Sequence, residues 1–96
     1  MDDPLRADAL RLLRAARDIH VEQHGGDEES FRTGTTLDLV AAGERTGLPT
    51  GYPSHEDAVE WLEDRGAIEP DPIYQQALGG TIYRITARGV ELLAES

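Results

Sequence analysis

Glycine and proline punctuate this chain so regularly that its secondary-structure elements have to be short. Breaks fall at Gly25 and Gly26, at Gly47, Pro49, Gly51 and Pro53, at Gly66, and at Gly79 and Gly80. Such residues end helices or turn strands because of their special backbone freedom or restriction. Ninety-six residues hold one hydrophobic core and not two, so residues 1–96 are read as a single domain.

Between the breaks, apolar spacing assigns the elements. Residues 4–24 place Leu5, Ala9, Leu12, Ala16 and Ile19 on one helical stripe, with Pro4 in the tolerated first turn. The segment 25–30 reads as an exposed loop and 31–35 as a short extended piece. A second helix is expected from Thr36, capped by that hydroxyl, to Arg45. Its apolar residues go nearly all the way round, which favours packing on several sides. Ser54 and Asp57 form a capping-box pattern for a third helix over 55–65, burying Ala58, Val59 and Leu62 with Trp61 at the margin. Residues 67–69 look like the start of a strand, interrupted by Pro70 and Pro72. Residues 73–77 and 81–85 flank a Leu78-Gly79-Gly80 turn and read as a hairpin with Tyr83 and Ile85 on one face. Thr86 is positioned to cap a last short helix carrying Val90, Leu92 and Leu93. The fold class that results is mostly α with a small antiparallel β-hairpin (α+β).

Composition removes several classes of function. Cysteine is absent, so disulfides, thiolate metal sites and cysteine nucleophiles are excluded. No stretch reaches the roughly 18 apolar residues of a membrane span. The opening Asp2-Asp3-Pro4 is unlike a signal peptide, and a cytoplasmic location is expected. No glycine-rich phosphate loop follows a strand, and no serine or carboxylate pair has a recognisable catalytic setting. The expectation is therefore no catalytic residue, no cofactor, no small-molecule substrate and no membrane partner.

The run AVEWLEDRGAIE (58–69) followed by YRITARGVELL (83–93) resembles the third helix, wing and tail of winged-helix proteins. GERTGLP (43–49) is similar to the end of their second helix and the turn after it. The resemblance implies a winged helix-turn-helix, with a three-helix core, a wing and a short C-terminal helix. It also implies transcription regulation, with the third helix in a DNA major groove and the wing on the backbone. Residues 50–53 look inserted relative to that pattern.

Charge argues against the implied mode of DNA reading. The chain has nineteen acids against nine bases, for a net charge of −10, and every base is arginine. Phosphate neutralisation and base reading need positive charge on the reading surface. Residues 46–83 hold one base, Arg65, against Glu56, Asp57, Glu60, Glu63, Asp64, Glu69 and Asp71, and the wing tip 77–80 is uncharged. Arg6, Arg11, Arg14 and Arg17 fall opposite the apolar stripe of the first helix, beside Asp8 and Asp18. With Arg84 and Arg88 they are the candidate nucleic-acid contacts, although a solvated face balanced by Asp8 and Asp18 is the more ordinary account of the helix-1 arginines, and an ordinary surface role that of Arg88.

Two readings follow. The first is a regulator-type binding module that works through protein contacts, with a protein partner or a second copy engaging Glu56, Glu60, Glu63 and Trp61. The alternative is a transcription regulator that binds duplex DNA through the arginines. Tyr52 and Tyr74 are further candidate anchors, since aromatic residues dominate binding hot spots. His20 and His24, four apart, share a helix face and are weak metal candidates, with Asp27 or Glu28 as a third ligand; ordinary histidines at a helix C-terminus explain them as well.

Overall fold

A computed structural model describes residues 3–72 and 82–95. Among these residues four helices pack with a three-stranded antiparallel sheet, an α+β arrangement that is mostly helical. The order is α1 (Pro4–Gln23), a 3₁₀ turn (Glu28–Ser30), β1 (Thr36–Leu37), α2 (Leu39–Thr46), α3 (Pro53–Asp64), β2 (Ile68–Pro70), β3 (Tyr83–Ile85) and α4 (Ala87–Glu95).

Helix α1 is the spine on which α2, α3 and α4 pack. Asp3 caps it by accepting the Leu5 amide at 3.0 Å. The predicted stripe is buried apart from Leu5, which is only partly covered, and the apolar face is wider than that stripe. Leu10, Leu13 and Ala15 are buried as well. Leu10 lies four residues from both Arg6 and Arg14, so the arginine side of α1 is interrupted by a core position.

Sheet pairing moves the start of α2. Thr36 and Leu37 lie opposite Arg84 and Tyr83 in the sheet, so Thr36 is a strand residue and not a helix cap. Asp38 takes the cap instead, accepting the Ala41 amide at 3.0 Å. The extended piece expected at 31–35 is correspondingly displaced to β1, although Thr35 still accepts the Ile85 amide at 3.0 Å. Leu39, Ala42 and Gly43 are buried, but Val40 is 54% exposed, so α2 is not packed on every side. Gly47, in the left-handed region at φ 77°, ends the helix.

Helix α3 begins at Pro53, ahead of the expected capping box. Tyr52 occupies the cap without a side-chain bond, and its carbonyl accepts the amides of His55 and Glu56. Proline at the first helical position makes this start natural, because its missing N–H would be unpaired there anyway. Ala58, Val59 and Leu62 are buried as expected. Trp61 is buried too, 7% exposed, rather than marginal. Gly66 turns the chain out of α3 at φ 70°.

Strand β3 is central, with β1 and β2 on either side. Ile68, Glu69 and Pro70 pair with Ile85, Arg84 and Tyr83, so 68–70 is β3's partner strand. Pro70 is no interruption: β2 lies at a sheet edge, where a missing N–H is tolerated. The expected strand at 73–77 and the wing tip at 77–80 lie outside the described residues. Ile85 is fully buried, while Tyr83 is half-buried at the sheet edge of a surface groove. Thr86 caps α4 through the Gly89 amide at 3.1 Å and ties it to the α3 exit by donating to the Gly66 carbonyl at 2.5 Å.

Candidate functional site: an acidic groove beside the third helix

A concavity of about 760 Å³ lies between α3, the start of α2 and the β1–β3 edge. Leu37, Leu39, Val40 and Val59 supply its apolar surface, with Ile82 and Tyr83 at one side. Asp38, Glu56, Glu60 and Glu63 line it, and no arginine does. The three glutamates recur at four- and three-residue spacing, which brings them onto one face of α3.

These carboxylates differ in how they are held. Asp38 is committed to the α2 cap, and Glu63 accepts the Tyr83 hydroxyl at 2.8 Å. The carboxylates of Glu56 and Glu60 make no ion pair or hydrogen bond with any described residue. Burial of the Tyr83 ring, with the bond to Glu63, pushes its phenol up to about 12, so it stays a donor throughout the neutral range.

His55 braces the groove from below. It is buried, and its Nδ1 donates to the Leu48 carbonyl at 2.7 Å, joining α3 to the turn that follows α2. Its ring lies against Gly43, where a Cβ would meet both the Leu48 carbonyl oxygen and the imidazole. Composition and periodicity do not point to this histidine. The only available signal is its place at the start of a helix, two residues past a proline.

Trp61, expected as a partner anchor, is withdrawn into the core. Arg65 covers its ring at 4.0 Å, so the single base of the 46–83 surface is itself engaged. Tyr52 is 61% exposed but does not line the groove. Tyr74 lies outside the described residues.

Most of the candidate nucleic-acid contacts are also occupied. Arg11 pairs with Asp8 and donates to the Thr46 carbonyl at 2.5 Å, and Arg17 pairs with Asp18. Arg84 meets Glu69 at 2.6 Å, and Arg88 reaches Glu91 and Glu95. Arg14 is partly buried with a partner of its own, leaving Arg6 exposed at the start of α1. The arginines thus balance carboxylates near them, while the α3 row is left uncompensated.

His20 and His24 stack at 4.1 Å between ring centres. Asp27 does not join them as a third metal ligand: its side chain accepts the Glu29 amide at 3.1 Å. Glu28 faces a different cleft, with Arg17 and Val90. Among the described residues, no group of three or more histidine and carboxylate side chains is placed to hold a metal. No helix among them is long and apolar enough to cross a membrane.

Comparison with protein-family models, curated proteins and solved structures finds no match, so function has to be argued from geometry and charge.

Proposed function

We propose that this chain is a winged-helix domain of the regulator type whose working surface is the acidic groove, and that it recognises a protein partner with a basic, partly apolar face. The fold reading is supported by the succession of α2, a glycine-containing turn and α3, followed by paired strands and a C-terminal helix. Function is not implied by such a fold and has to come from the surface.

One observation carries the reading: carboxylates without bound bases surround an apolar hollow in which Val40 stands exposed. Duplex phosphates are repelled by such a surface, whereas a partner offering arginine or lysine around an aliphatic side chain gains both charge neutralisation and burial. Self-association through the same face is disfavoured, because it sets two acidic rows against each other. The role is binding and not catalysis. For DNA to be held by Arg11, Arg17, Arg84 and Arg88, phosphates would have to displace carboxylates already in place.

The test uses two fluorescent probes in anisotropy titrations, a mixed-sequence duplex and an amphipathic peptide with arginines along one helical face and leucines along the other. Peptide binding that weakens with salt and is lost in E56R/E60R is expected. The reversal E28R/E29R changes net charge equally and should leave peptide affinity within about twofold, since surface charges far from the contact act weakly. Specific duplex binding at physiological salt, with the peptide ignored, overturns the reading.

A further inference from the structure

We infer that a second hollow, walled by the C-terminal turn of α1 and the 30–36 loop, is a binding site for a phosphate group, free or as a monoester. It is independent of the acidic groove. Its lining is His20, His24, Ser30, Arg32, Thr33, Gly34, Thr35 and Thr36, and no carboxylate is among them. In a chain with nineteen acids in ninety-six residues, that exclusion is selective. The volume, about 550 Å³, accommodates a phosphate group and the small molecule esterified to it.

The hydrogen bonds already made define what each side chain has left. His20 Nε2 faces the Ser30 carbonyl at 3.2 Å, and His24 Nδ1 faces the His20 carbonyl at 2.8 Å. A carbonyl only accepts, so those ring nitrogens carry hydrogen and donate. Nδ1 of His20 and Nε2 of His24 are then the nitrogens without a partner among the described residues. Each can accept from a protonated phosphate oxygen or, carrying a second proton itself, donate to an ionised one.

Arg32 supplies the fixed charge. It is exposed and makes no ion pair with any described residue, in contrast to Arg11, Arg17, Arg45, Arg84 and Arg88. Its guanidinium fork matches phosphate oxygens better than a point charge would. The Thr35 hydroxyl accepts the Arg32 amide at 3.1 Å, fixing the loop while keeping its own hydrogen to donate. The acids on the neighbouring segments are turned to other work: Glu22 holds Arg45, Asp27 caps the 3₁₀ turn, and Glu28 faces the cleft with Arg17. None of these, nor Glu29, lines the hollow.

The experiment follows the histidine ring carbon–proton signals of the whole chain by NMR at pH 6.5 and constant ionic strength. The added probes are inorganic phosphate, O-phosphoserine and acetate. Saturable shifts of both His20 and His24 with phosphate are expected, with a much weaker response to acetate. Saturation by O-phosphoserine identifies a monoester site, and saturation by phosphate alone identifies a free-ion site. Arg32→Ala should weaken binding by about fivefold or more, the size expected for one charge-assisted hydrogen bond. Thr33→Glu, which puts a carboxylate on an exposed lining position, should abolish it. Linear shifts that are equal for phosphate and acetate overturn the proposal, as does unchanged affinity in Arg32→Ala.

Discussion

Gly43→Ala sets two well-defined energies against each other at the junction on which the groove is built. Alanine in a helix interior is favoured over glycine by about 1 kcal/mol, so propensity alone predicts a more stable protein. The structure predicts the opposite. A Cβ at position 43 runs into the Leu48 carbonyl oxygen and comes to 3.0 Å from His55 Nδ1. That carbonyl cannot retreat freely, because His55 donates to it and the Leu48 amide donates back to the Gly43 carbonyl at 2.8 Å. Overpacking costs about 1–3 kcal/mol. Separating the turn from α3 also breaks the bond of a buried imidazole, at about 1–3 kcal/mol. After the propensity gain is subtracted, the net loss is about 1–5 kcal/mol, and its midpoint of about 3 kcal/mol is a fall in Tm of about 12–24 °C for a domain of this size. Thermal melts followed by far-ultraviolet circular dichroism measure it, with the exposed neighbour change Glu44→Ala expected to stay within about 0.5 kcal/mol. A Gly43→Ala protein melting at or above the parent temperature would refute the close packing of α2 on the turn.

Gly89→Ala tests the other close approach. There a Cβ meets the Ala67 carbonyl oxygen and lies 2.6 Å from Ile85 Cγ1, so α4 must lift off the sheet, and a loss of about 2 kcal/mol in urea unfolding is expected. Tyr83→Phe addresses the groove edge. Absorbance titration of phenolate should show one component near pH 12 in the parent and none in the variant. The sign follows from linkage: the folded state keeps the Tyr83 proton above the unfolded value of about 10, so its stabilising contribution is complete below pH 10 and is lost between about 10 and 12.

Local signals in the sequence were enough to place the helices, because α1 and α3 bury the residues their spacing marks and because Gly47 and Gly66 stop α2 and α3 by left-handed geometry. What local reading misses is set by pairing across the chain. Thr36 and Asp38 are both good caps, and only the pairing of Thr36 with Arg84 decides between them. β1 is two residues long and has no periodicity to reveal it. Glu56, Glu60 and Glu63 are readable as one face, but the apolar wall opposite them comes from Leu37 and Val40, whose placement depends on that same pairing. Trp61 belongs to the core cluster with Arg65 over its ring, a contact that helical spacing does not show. The phosphate-sized hollow is equally non-local: a glycine turn separates Arg32 from His20 and His24, and nothing in their spacing says that the loop returns over the end of α1.

The acidity of α3 itself has a testable energetic consequence. Glu60 has a like charge at every helical neighbour position, with Glu56 and Asp57 before it and Glu63 and Asp64 after it. Each such pair is destabilising by a few tenths of a kcal/mol. Glu63 and Asp64 also stand at the C-terminal end, where the helix dipole disfavours anions, and no base lies in that last turn to offset them. A basic partner that neutralises the row relieves this cost. Glu60→Arg turns all four repulsions into attractions, with a few tenths of a kcal/mol of repulsion lost and as much attraction gained per pair, and should stabilise the free protein by about 2 kcal/mol, or about 8–16 °C in Tm. The same change should weaken binding of the arginine-bearing peptide by about tenfold or more, since one carboxylate is lost and a repulsive charge is introduced in its place. Stability and binding are therefore expected to move in opposite directions in a single variant. A gain in stability with peptide affinity intact would mean that the acidic row is a solvated face, and that the partner docks elsewhere.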